Sequence, residues 1–136
     1  MNTITINTIN DQEIGYICWH NPGDKNSCLH ITVLHVHDVF RKLGYGTLLI
    51  KCMLIHFGKK IRRPLKIKLD DCSDYSGSTE SIYYKLGFRC INNDNEMRIY
   101  IKSLFDYINT IKIKTFSNLK ITHDDENFKN INIKYF

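Results

Sequence analysis

VHDVFRKLGYGTLL, residues 36–49, is the stretch on which the fold turns. CLHITVLHV (28–36) leads into it as a β-branched, nearly continuous apolar run, the pattern of a buried central strand. Behind it, Leu48, Leu49, Cys52, Met53 and Phe57 recur at helical spacing, which predicts a helix from near Gly46 to about Phe57, with Gly58 as its stop. A strand that enters a glycine turn and leaves as a helix makes an anion site, because a helix N-terminus exposes unpaired N–H groups and partial positive charge. Gly44 and Gly46 would let phosphate oxygens reach the backbone amides of Lys42, Leu43, Gly44, Tyr45, Gly46 and Thr47, and Arg41 would add forked donors. Taken alone, R-x-x-G-x-G fits a tight, ligand-free connection equally well. The loop G-x-x-x-x-G-K-[ST] is absent, and the dinucleotide fingerprint fails because Leu49 stands where its third glycine belongs.

Outward from this stretch the chain alternates strands and helices. ITINTI (4–9) and EIGYICWH (13–20) read as a hairpin about Asn10-Asp11-Gln12, and NPGDKNS (21–27) is turn chemistry. PLKIKLDD (64–71) reads as a strand after the basic loop KKIRRP (59–64). Ser76 or Ser78 would cap a short helix over TESIYYKL (79–86), which Gly87 ends. FRCIN and EMRIYIKSL read as two strands about Asn93-Asp94-Asn95. The order β-β-β-α-β-α-β-β predicts an α/β (α+β) fold, a mixed, mostly antiparallel sheet with helices on its faces. Residues 1–104 would form that domain. Residues 105–136 would be an extension, strand-containing through TIKIKTF and NINIKYF with HDDEN (123–127) as a turn. It would pack on the same domain or at a homodimer interface.

The 136 residues suit one domain, and 43% of them are hydrophobic, enough for a core. No apolar run reaches the ~18 residues of a membrane span, and the polar N-terminus does not read as a secretory signal. Five scattered cysteines without C-x-x-C point to reduced thiols in a cytoplasmic protein, with no metal site. A formal charge of +5 suits an anionic ligand or a solvated basic face. The basic residues are scattered and no nucleic-acid motif is present, so nucleic acid is not an expected partner. The absence of alanine and the abundance of Ile, Asn and Lys reflect an AT-rich genome more than a function.

A second motif, IYYKLGF (82–88), settles the ambiguity of the first. Together they resemble the GNAT superfamily of acetyl-CoA-dependent N-acetyltransferases, whose patterns are V-x-P-x-[YF]-R-x-x-G-[IYV]-G-x-x-L and L-Y-x-K-x-G-F. Order, spacing and context agree over about residues 13–102. LDDCSD (69–74) also resembles a subgroup associated with large DNA viruses.

The resemblance implies that backbone amides at the helix start bind the CoA pyrophosphate. It implies that Leu34 and Val36 offer main-chain groups to pantetheine. It places Tyr83 near the CoA sulfur, where a phenol can protonate the departing thiolate. Neighbouring Tyr84 cannot face the same sulfur. The acceptor would be a primary amine of a protein or small molecule, attacking the thioester directly, and a strand N–H would hold the oxyanion. The family's usual central glutamate is missing, which leaves His30, His35, His37, Asp70 and Asp71 as candidate bases, with His35 preferred. Asp70 and Asp71 would otherwise hold a cationic acceptor or a metal, or form a solvated turn. Asp38 replaces a frequent proline, and Ser76 a frequent asparagine. The opening strands leave no room for two helices that usually shape the acceptor site. That absence, with the extra tail, favours the alternative of a non-catalytic module that binds CoA or a protein.

Overall fold

Alternating apolar and polar side chains set most of the strands. The computed structural model describes residues 2–20, 29–58, 66–72, 80–90, 96–110 and 118–123. Strands β1 (Asn2–Thr8), β2 (Glu13–His20) and β3 (Leu29–Val36) come first. A 3-10 turn, Asp38–Phe40, precedes helix α1 (Tyr45–Gly58). Then follow β4 (Lys66–Asp70), α2 (Ile82–Lys85), β5 (Arg89–Cys90), β6 (Glu96–Tyr100), α3 (Ile101–Thr110) and β7 (Leu119–His123). The strands form one seven-stranded sheet in the order β5-β6-β4-β3-β2-β1-β7. Among the described strands only β3 and β4 run parallel, and α1 lies in the crossover between them.

Register divides the sheet into two faces. Ile4, Ile17 and Leu34 lie in line across β1, β2 and β3, and Ile31, Leu69 and Met97 across β3, β4 and β6. α1 packs on this apolar face across β1, β2 and β3, and touches α3. Leu48, Leu49, Ile50, Cys52, Met53 and Leu54 are all fully buried, so α1 is covered on more than one side. The opposite face carries Thr3, Thr5, Tyr16, Cys18, His35, Lys68 and Arg98, all half-buried.

Three expectations need correction. The segment EMRIYIKSL is not one strand, because β6 ends at Tyr100 and α3 begins at Ile101. Ile99 and Ile101 prolong the strand alternation in sequence. Buried Leu104 and Ile108, four residues apart, carry the helical period instead. α3 spans the division drawn between residues 104 and 105. Second, the tail contributes a strand between the two segments expected to form one, as β7 pairs antiparallel with β1. Residues 111–116 and 130–136, read as strands, lie outside the described residues, as does the basic loop 59–64. Third, Ser81 caps α2, its Oγ accepting from Tyr83 N–H. Ser76 and Ser78 lie outside the described residues.

Candidate functional site

The site begins with a mismatch of strands. β4 pairs with β3 only at Leu29, His30 and Ile31, although β3 runs on to Val36. On the other side of β3, Cys18 faces Val33 and Trp19 faces Ile31, which makes Thr32 the extra residue of a bulge. Thr32 Oγ1 donates to Cys18 O at 3.2 Å and fixes it there. A bulge bends its strand, and beyond this one β3 parts from β4. A cleft of about 680 Å³ opens there, with Val33, His35, Arg41, Gly44, Asp70 and Tyr83 among its lining residues.

The open edge of β3 presents backbone. His37 N–H donates to Ile14 O at 2.9 Å. By alternation, His35 turns its main-chain groups to β2, while Leu34 and Val36 turn theirs to the gap. Arg41 Nε accordingly reaches Val36 O at 2.9 Å, and its Nη1 pairs with Asp38 Oδ1 at 3.0 Å. Arg41 therefore lines the cleft while bracing the turn before α1.

That turn aims the helix start. Lys42 and Gly44 take positive φ, 62° and 93°. Leu48 N–H closes the first helical bond on Gly44 O at 3.0 Å, leaving the amides of Tyr45, Gly46 and Thr47 ahead of the ladder. The first turn carries no acidic residue. Lys42, Gly44, Tyr45 and Gly46 line the cleft; the side chains of Leu43 and Thr47 do not. Tyr45 meets Phe40 edge-on at 6.0 Å.

Tyr83 enters from the facing wall, while Tyr84 lies under Arg89, whose Cζ sits 3.8 Å from the ring centre. Burial first, then the neighbouring Asp71 and Cys72, push the Tyr83 phenol up to about 12. The His35 ring lies between Tyr16, tilted against it at 5.5 Å, and His37, edge-on at 4.8 Å. His37 Nε2 bonds Glu13 Oε1 at 3.0 Å, so Glu13, the first residue of β2, belongs to this group. His30 is one residue of a different row, opposite His20 and Lys68. Among the described residues, no three His, Cys, Asp or Glu side chains are placed to hold a metal ion.

Asp71 departs from the solvated turn expected for it. It is 1% exposed and accepts from Ser81 Oγ at 2.5 Å. Its parity was legible: Ile67, Leu69 and Asp71 are alternate residues, and the first two are core. Asp70, one step out of phase, is exposed and lines the cleft.

No family model matches the chain, and no curated protein matches it. Solved structures do. A Desulfovibrio desulfuricans protein named "a putative acetyltransferase of the GNAT family" superposes with a TM-score of 0.52 at 16% identity, over 68% of this chain and 64% of that one. The protein has the GNAT acetyltransferase fold. The KacTA–DNA complex matches with a TM-score of 0.51 at 17% identity, over 72% of this chain and 65% of the other. AtaTR bound with acetyl-CoA matches at 0.52 and 17%, over 70% and 62%. The GNAT-fold chain thus spans slightly less than two thirds of each of these three neighbours. Among the described residues, no helix is long and apolar enough to cross a membrane.

Proposed function

We propose that this chain transfers the acetyl group of acetyl-CoA to a primary amine. The observation that carries the reading is the parting of β3 from β4 at Thr32. One cleft there is lined by an anion-ready helix start, by Leu34 and Val36 with main chain turned to the gap (Val36 O being held by Arg41), and by the Tyr83 phenol.

In this reading the pyrophosphate sits on the amides of Gly44, Tyr45, Gly46 and Thr47, beside Lys42, Leu43 and Arg41. Pantetheine lies along β3 as an added strand, bonded to the main chain of Leu34 and Val36. The acceptor starts as an ammonium, and His35 takes its proton. The amine nitrogen then attacks the thioester carbonyl carbon. The attacking nitrogen gives its second proton to solvent. As the tetrahedral adduct collapses, the C–S bond breaks and Tyr83 gives its proton to the sulfur. Solvent then returns a proton to the phenolate and takes the one held by His35. The burial that raises Tyr83 also raises a thiolate formed beside it, which keeps donor and acceptor matched.

The neighbour named as bound with acetyl-CoA supports the cofactor. The other reading, a non-catalytic module, draws on one observation: β1 and β2 join across a short turn, with no helix there to wall an acceptor site.

Titration calorimetry with acetyl-CoA, followed by thiol release with a panel of amines, separates the two. Catalysis predicts binding in wild type and in Tyr83→Phe, with turnover lost only in the variant, by about 100-fold or more. Full turnover in Tyr83→Phe removes the phenol from the mechanism. Binding without turnover on any amine favours the module.

A further inference from the structure

Asp71 and Ser81 are each 1% exposed, and the acetyl transfer just described uses neither. A serine can cap a helix in water, so a buried carboxylate behind it exceeds what a cap requires. The contacts say where the pair acts. Ser81 Oγ donates to Asp71 Oδ2 at 2.5 Å and accepts from Tyr83 N–H at 3.2 Å. Asp71 follows directly on β4, a strand that flanks the cleft, and Ser81 opens α2. The hydroxyl thus ties the end of that strand to the backbone of the residue that carries the phenol.

α2 needs such a tie. Its four residues fall far below the length at which a helix holds itself in water. Its other end is fixed: Gly87 N–H bonds Tyr84 O at 3.0 Å, Phe88 N–H bonds Tyr83 O at 2.9 Å, and Phe88 is fully buried. The Tyr83 ring meets the Phe88 ring edge-on at 6.0 Å. The Asp71–Ser81 bond supplies the matching anchor at the start. A hydrogen bond to a carboxylate is about twice as strong as a neutral one.

We infer that Asp71 and Ser81 are positioning residues, which hold the Tyr83 phenol against the parted edge of β3 and so govern proton delivery without contributing to acetyl-CoA binding. The inference rests on the acid role proposed for Tyr83. The Asp71 charge adds a second effect, since it disfavours phenolate beside it.

The test uses the full chain with carbon-13 in its tyrosine rings. Tyr83→Phe identifies the Tyr83 signal by its loss. Asp71→Asn, Ser81→Ala and Ser81→Thr are then titrated by NMR, and acetyl-CoA affinity is measured by calorimetry. In Asp71→Asn, which loses charge and anchor together, and in Ser81→Ala, where lost burial as the larger cause outweighs the charge left on Asp71, the Tyr83 midpoint should fall by at least about one pH unit, while acetyl-CoA affinity stays within two-fold, about 0.4 kcal/mol. Ser81→Thr keeps the hydroxyl and should keep the midpoint. An unmoved midpoint in folded Ser81→Ala overturns the inference, as does a joint loss of midpoint and affinity. If Asp71→Asn fails to fold, the comparison of Ser81→Ala with Ser81→Thr decides. Neither readout needs turnover, so a failure here is distinct from full activity in Tyr83→Phe, which would remove the acid role instead.

Discussion

Gly15 on β2 and His35 on β3 approach so closely that a Cβ on Gly15 would stand 2.3 Å from the His35 carbonyl oxygen. The obstacle is backbone, so no rotamer change relieves it. Replacement must push β3 away from β2, toward the gap where β3 has parted from β4. Gly15→Ala should therefore cost about 1–3 kcal/mol of stability and also weaken acetyl-CoA binding. Urea denaturation paired with calorimetry checks this. Loss of stability with unchanged affinity would mean that the cleft does not depend on this contact.

The two glycines of the helix start make different demands. Gly44 has φ of 93°, where an L side chain costs on the order of 1–2 kcal/mol. A Cβ on Gly46 would meet only Ile82 Cδ1, at 3.3 Å, and a side-chain tip can give way. Gly44→Ala should reduce acetyl-CoA affinity more than Gly46→Ala. Equal losses would place the phosphate contact on Gly46 rather than on the turn.

The raised phenol of Tyr83 links to alkaline stability. The folded state holds this proton up to about pH 12, whereas an ordinary tyrosine loses it near 10. The contribution is full below about pH 10 and is lost as pH rises through 12. Buried Cys52, pushed up to about 12 from a thiol's usual range, acts with the same sign from about pH 9. Urea midpoints should therefore fall between pH 9 and 11, and Tyr83→Phe should fall less steeply. A parallel fall in both proteins would assign the loss elsewhere.

Thiol labelling maps the cleft without any acceptor. Cys72 and Cys90 are exposed, and Cys72 lines the cleft while Cys90 does not. Iodoacetamide should alkylate both readily and Cys52 only on unfolding. Saturating acetyl-CoA should slow alkylation at Cys72 and leave Cys90 unchanged. Protection of neither residue would place the bound ligand away from this end of β4.

Much of the site was legible where local pattern and tertiary role coincide. The run from Val36 to Leu49 carries its own turn, and the register of IYYKLGF points to Tyr83, which lines the cleft, while Tyr84 lies against Arg89. Asp71 was misread because two adjacent aspartates look like a turn, although strand parity puts one of them inside. The cap passed to Ser81 because a buried partner, invisible in sequence, decided among several serines. α3 was hidden because Ile101 continues the strand alternation of Met97 and Ile99 and also stands at helical spacing from Leu104 and Ile108. His37 met Glu13 through pairing of β2 with β3, a relation that sequence distance conceals.

The pairing of β7 with β1 has a consequence for the order of assembly. Thr8 and Leu119 are partners in the sheet, roughly 110 residues apart in the chain. A ribosome makes β1 early and its neighbour late, an interval on the order of ten seconds at bacterial or eukaryotic speeds. Throughout that wait one edge of β1 has no strand beside it, with Ile4 and Ile6 at hand. The nascent protein is most open to sticking or to chaperone capture in that window, and β7 closes it on emerging.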